Sequence, residues 1–151
     1  MKVVLDTNIL LDYLLDRKPF SAPARTIMEL GYLKELELWI SMSQVTDLIY
    51  FITDGGRSSL AEYAQHVMTA LRKFIHPYAI DESDYDAVAK CTWTDLEDAF
   101  IHQVALNTRA DAIITRDKAG FDRSSIKVFD CEELLAHLEE EHGLVYEMVE
   151  F

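Results

Sequence analysis

Five aspartates, Asp6, Asp47, Asp95, Asp98 and Asp117, have the type and spacing that could do chemistry in this chain. Asp6 sits at the seam of MKVVLDTNILLDYLL, where an apolar β-branched run gives way to helical spacing in Ile9, Leu10, Tyr13 and Leu14. Asp47 falls in the first turns of the helical stretch SMSQVTDLIYF, and Asp117 lies just beyond the strand-like run AIIT. Asp95 and Asp98 are spaced i and i+3, on one face of a helix's first turn. For Asp6 a simple helix N-cap is the plain alternative. Gathered at one edge, however, carboxylates repel one another and raise one another's pKa, so a fold gains no stability from collecting them unless a cation joins them. Oxygen donors without Cys or His suit Mg2+ or Mn2+ better than zinc.

The surrounding elements decide whether the aspartates can meet. Lys2–Leu5 reads as a strand and Asn8–Leu15 as a helix; SAPARTIMELG reads as a second helix with Ser21 as cap and Gly31 as stop. Glu35–Ile40 alternates as a strand, and the next helix starts at Ser41 or Ser43 and stops at Asp54-Gly55-Gly56. Ser58–Phe74 is a long amphipathic pattern, HPYAI a third strand, and ESDYDAVAKC a short helix capped by Ser83. Thr94 or Asp95 caps a helix through Leu106, ADAIITRD is a fourth strand, and IKVFD a fifth before the final helix, EELLAHLEEEHG. This alternation predicts a three-layer α/β domain, a parallel sheet of four to five strands with helices on both faces. In such sheets ligands bind beyond the carboxyl ends of the strands, near a topological switch point, which is where the aspartates fall. With no repeat or linker, residues 1–151 read as one domain, with an acidic C-terminal helix and an apolar tail from about 131.

Composition narrows the class. A chain of 151 residues can bury roughly 68–70% of its unfolded surface around one core. The start lacks a signal-peptide pattern and no apolar run approaches the ~20 residues of a membrane span, so the expectation is a cytoplasmic protein with no membrane partner. Cys91 and Cys131 are isolated, which suits core filling rather than a disulfide or zinc site. A net charge of −13 argues at first against a nucleic-acid partner. Yet Val128–Phe151 holds eight acidic and no basic side chains, leaving 19 acidic against 14 basic in Met1–Lys127. The acidity is concentrated at the C-terminus, on the solvent face of a helix whose Leu134, Leu135 and Leu138 face inward.

With VVLDTNILLDYLL, SMSQVTDLIYF and DLEDAFIHQVALNTRADAIITRDKAGF in order, the chain resembles the PIN-domain ribonucleases, which include the VapC-type toxins of toxin–antitoxin pairs. The family's first acid matches Asp6, followed by Thr7 and Asn8; its second, often Glu, falls on Asp47; its third falls on Asp98, with Asp95 as companion; its T-x-D element matches Thr115 and Asp117. The shorter Asp47 departs from the pattern and leaves direct or water-mediated contact open. The resemblance implies an endoribonuclease dependent on Mg2+ (or Mn2+), a homodimer, and often an antitoxin partner. Hydrolysis would proceed by in-line attack of a metal-activated water, leaving a 5′-phosphate and a 3′-hydroxyl. Asp6 and Asp98 are then the principal metal ligands, Asp117 a ligand or water orienter, and Asp47 or Asp95 ligands of a second position. Asn8 and Thr115 would support the carboxylates by hydrogen bonding.

Arg116, Lys118 and Arg123 bracket Asp117, and Arg17 with Lys18 follows the first helix; the pair flanking Asp117, Arg116 and Lys118, are the candidates for seating substrate phosphates. His102, one turn after Asp98, reads better as a packed neutral side chain than as a base, and Trp39, Tyr50, Phe51 and Trp93 as core or interface aromatics. Two rival functions have definite signatures. An aspartyl-phosphate enzyme would carry an Asp two residues after Asp6, where this chain has Asn8. A catalytically silent PIN scaffold that binds RNA or protein would not need Asp6, Asp98 and Asp117 intact. Finally, the apolar tail Gly143–Phe151 should pack on its own core or on a partner subunit. The acidic pocket should attract a basic partner segment.

Overall fold

Val3, Val4 and Leu5 are all fully buried, and successive strand side chains point to opposite faces, so this segment must be covered on both sides. In the computed structural model, which describes residues 1–143, it is β1 (Lys2–Leu5). With β2 (Glu37–Ser41), β3 (Ile75–Tyr78), β4 (Ala112–Ile114) and β5 (Lys127–Phe129) it forms a parallel five-stranded sheet. The order is β3-β2-β1-β4-β5. The helices are α1 (Thr7–Leu14), α2 (Ser21–Tyr32), α3 (Met42–Ile52), α4 (Ala61–Leu71), α5 (Glu82–Ala89), α6 (Leu96–Thr108) and α7 (Cys131–His142).

Strand alternation assigns the helices to layers. Val3, Leu5, Leu38, Ile40 and Ile114 face a core filled by Ile9, Ile27, Leu48, Leu71 and Leu134, from α1, α2, α3, α4 and α7. Val4 and Ile113 face the other way, onto Ile101, Val104 and Ala105 of α6, against which α5 packs. The result is the three-layer α/β fold that the alternation predicts. The chain builds β1, β2 and β3 outward in one direction, then returns to place β4 on the other flank of β1. The switch point therefore lies between the carboxyl ends of β1 and β4. There Leu5 pairs with Ile114 and the Asp6 amide donates to the Ile114 carbonyl at 2.9 Å.

Several local expectations are corrected. Gly31 does not stop α2 but lies inside it, where a Cβ would overlap the Leu38 side chain; the glycine lets helix and sheet approach. The cap of α5 is Asp81, not Ser83: its Oδ1 accepts the amides of Ser83 and Asp84 at 2.8 and 3.2 Å. Strand three is Ile75–Tyr78 rather than HPYAI, and Ser58–Phe74 divides into a 3-10 turn, Ser58–Leu60, and α4. No helix among the described residues is long and apolar enough to cross a membrane. The tail expected to cover apolar surface lies, from residue 144, outside the described residues.

Candidate functional site

Asp6 follows β1 directly and occupies the N-cap position of α1 with extended backbone, but its side chain makes no capping hydrogen bond. Its Oδ2 instead accepts from Thr115 Oγ1 at 2.6 Å and Asn8 Nδ2 at 2.7 Å. The Thr115 hydroxyl is fully buried and also accepts from Asn8 Nδ2 at 3.2 Å and from the Asp117 amide at 2.9 Å. Asn8 Oδ1 takes the Arg116 amide at 3.3 Å. Asn8 and Thr115 thus join the ends of β1 and β4 through the carboxylate between them. Burial pushes the Asp6 carboxyl up from its ordinary range; the Thr115 hydroxyl and the nearby amides of Thr7 and Asn8 oppose this, and the Asp117 charge adds to it.

The head of α6 brings the next group. Asp95 is its N-cap, accepting the amides of Glu97 and Asp98 at 2.9 and 3.3 Å. This leaves Asp98 directed at the switch point, where an added Cβ on Gly120 would overlap Asp98 Oδ2 and come within 3.5 Å of Asp117 Oδ2. The turn after β4 therefore packs its glycine against the two carboxylates. Partial burial, followed by the charges of Asp6, Asp95, Asp117 and Glu97, pushes the Asp98 carboxyl up to about 7.

Glu97 belongs to this group and was not anticipated. Its Oε1 accepts from Thr7 Oγ1 at 3.4 Å, and its carboxyl is raised by burial and then by the charges of Asp47, Asp6 and Asp95. The charges of Asp47 and Asp6 thus both act on Glu97. One turn before Asp47, Gln44 ties α3 to the seam: fully buried, it donates to the Leu5 carbonyl at 3.0 Å and Thr7 Oγ1 at 3.1 Å and accepts the Ser41 amide at 2.7 Å. The Ser41-x-x-Gln44 capping-box pattern was a readable signal for it.

The donor chemistry, carboxylates with a hydroxyl and an amide, suits a hard cation such as Mg2+ or Mn2+ better than zinc. Among the described residues, no three acidic, His or Cys side chains stand close enough to share one ion as placed. Of the basic residues, Lys118 pairs with Glu133 Oε1 at 2.5 Å and the Arg123 guanidinium donates to the Thr92 carbonyl. Arg116 turns away from the carboxylates: its Nε lies 2.7 Å from buried Asp12 Oδ2 and its guanidinium sits 4.2 Å over the Phe20 ring. His102 stacks on Trp93, with ring centres 4.9 Å apart, and burial lowers its pKa, as for a packed neutral imidazole.

The sequence profile of the PIN domain matches residues 2–119, most of the chain. The chain belongs to the PIN-domain family. Solved structures with the same fold include VapBC-1 from nontypeable Haemophilus influenzae, at 22% identity and TM-score 0.64, covering 87% of this chain and 99% of that one. VapBC2 from Rickettsia felis bound to a promoter DNA fragment aligns with TM-score 0.63 at 15% identity over 86% and 98%. A toxin–antitoxin complex from Klebsiella pneumoniae aligns with TM-score 0.61 at 20% identity over 85% and 97%. No curated protein matches by sequence. PIN domains are generally nucleases, and in this one the seam of β1 and β4 and the head of α6 gather its carboxylates.

Proposed function

We propose that this PIN domain is a cytoplasmic endoribonuclease dependent on Mg2+ or Mn2+ and the toxin of a toxin–antitoxin pair. One observation carries the reading: at the switch point the turn after β4 packs Gly120 against the carboxylates of both Asp98 and Asp117, where burial and then the charges of Asp6, Asp95, Asp117 and Glu97 push the Asp98 carboxyl up to about 7. Holding several acids where each disfavours ionisation of the next is a cost to the fold, and such costs concentrate at functional sites. Asp6, Asp98 and Asp117 would hold the ion, with Asp95, Glu97 and Asp47 around a second position. When bound, it would supply Lewis-acid activation of a water and neutralise charge on the scissile phosphate.

The remaining work falls to the chain. Asn8 and Thr115 fix the Asp6 carboxylate, and the Thr115 hydroxyl opposes the upward push of burial on it. Asp117, its amide anchored on Thr115, would orient a water. Lys118 can exchange its exposed Glu133 partner for a phosphate beside the scissile one, since an exposed ion pair contributes little. The toxin assignment is supported by the toxin–antitoxin complexes among the structural neighbours. The −13 charge suits an antitoxin segment bearing Arg or Lys, whose on-rate should fall with salt. A homodimer completes the reading.

The test is incubation of the purified chain with structured and unstructured RNAs in Mg2+, Mn2+ or EDTA, with analysis of the product ends. Cleavage that requires the metal and leaves 5′-phosphates is expected. No cleavage in any metal would overturn the enzyme reading and leave a silent binding scaffold.

A further inference from the structure

Asp12 is the most deeply buried acid among the described residues, with no exposed surface, and neither of its oxygens has a hydrogen-bond partner. The Arg116 Nε lies 2.7 Å from its Oδ2, close enough for an ion pair but outside hydrogen-bond geometry. Asp12 is one helical turn after Asn8 on α1, so the two share a face. Asn8 Oδ1 takes the backbone amide of Arg116, and Asp12 takes its side chain. α1 therefore grips residue 116 twice, and residue 116 lies between Thr115, which holds Asp6, and Asp117.

A buried ion pair is weak evidence for stability, because apolar residues of similar volume often serve as well or better. Phosphate binding fits Arg116 poorly too. Its guanidinium is stacked on Phe20, and it lines a cavity of about 180 Å3 together with Asp130 and Glu132, which would repel an anion. We infer that the Asp12–Arg116 pair is a positioning device that sets the 115–117 turn against α1, and with it Asp6 and Asp117. This rests on the nuclease reading for its catalytic consequence, though not for its geometry.

The experiment compares wild type with Asp12→Asn, Arg116→Gln, Arg116→Lys and the double change Asp12→Leu with Arg116→Met. It measures kcat and KM on an RNA oligonucleotide in Mg2+, Tm, and hydrogen exchange of the Asp117 amide relative to Ile113 in β4. Asp12→Asn and Arg116→Gln are each expected to lower kcat about 10–100-fold, with KM within about twofold. Arg116→Lys should recover part of that loss. The double change should restore Tm to at least the wild-type value while kcat stays low, since apolar packing replaces the pair's stability but not its direction. In Asp12→Asn, Arg116→Gln and the double, Asp117 amide protection should fall about tenfold or more while Ile113 keeps its own.

Wild-type kcat in Asp12→Asn, an effect of Arg116→Gln confined to KM, or recovery of kcat along with Tm in the double would each overturn the inference. Unchanged Asp117 protection would do so whatever the RNA result. If wild type cleaves no RNA while Asp117 protection falls as expected, the nuclease reading fails and the positioning geometry stands.

Discussion

Thr115 Oγ1 donates to Asp6 Oδ2 at 2.6 Å and accepts the Asp117 amide at 2.9 Å, so one buried hydroxyl couples the end of β1 to the turn after β4. Thr115→Val keeps the shape and removes both bonds, together with the one accepted from Asn8 Nδ2. Activity in saturating Mg2+ is expected to fall about 10–100-fold, the usual effect of removing a group that orients a metal ligand. Thr115→Ser should retain most of it. Steady-state rates for the two variants check this, and equal loss in both would contradict a hydroxyl role.

Gly120 is where the turn meets Asp98. In Gly120→Ala the new methyl group must displace the Asp98 carboxylate, the free end of a side chain that can swing aside cheaply. Tm should therefore change little, whereas misplacement of a reacting group by about 1 Å can cost about 10²-fold in rate. Thermal melting and a cleavage assay on the same preparation separate the two effects.

Burial, and then the neighbouring acids, push the Asp98 carboxyl up from an ordinary 3.8 to about 7 in the folded protein. Between those values the folded state holds a proton that the unfolded state has lost, so in metal-free protein this group's contribution to stability falls as pH rises from about 4 to 7 and is flat above that. Its side chain is partly exposed, so the effect is discounted to about 1 kcal/mol, or roughly 2–4 °C in Tm for a chain of this size. Asp98→Asn should melt higher than wild type at pH 8 in EDTA and match it near pH 4. Taking the difference between the two proteins cancels His102, whose lowered pKa works in the opposite direction.

Gln44→Leu tests the tie between α3 and the seam. It leaves the Leu5 carbonyl and the Ser41 amide without the partners they have in the structure. Each buried unpaired group costs about 1–3 kcal/mol, so a loss of about 2–4 kcal/mol in urea denaturation is expected. A loss below about 1 kcal/mol would show that the tie is dispensable.

The layers were legible because β1 and β4 are short apolar runs between clear helical patterns, and the Asp95 cap was readable because nothing distant competes with it. Asp6 shows the limit of local reading. Its seam position suggests a cap, but Thr115, contributed by the far end of the chain, takes the carboxylate instead. Gly31 misled because a glycine that ends a helix and one that admits a neighbouring strand look alike in sequence. Glu97 was hidden for a different reason. An acid in the first turn of a helix is ordinary on dipole grounds, and only the fold shows it facing Thr7 and the Asp47 charge. Arg116 reads from sequence as a phosphate contact because its partner, Asp12, lies on a helix otherwise given to core packing.

The most direct measurement is the Mg2+-dependent cleavage rate of Asp6→Asn and Asp98→Asn against wild type, each shown to be folded by its melting curve. Both variants should lose cleavage by about 10³-fold or more while melting at or above the wild-type temperature in EDTA, since each removes a charge from a self-repelling group. Wild-type rates in both variants, with the metal requirement intact, would contradict the assignment of these carboxylates to the reaction.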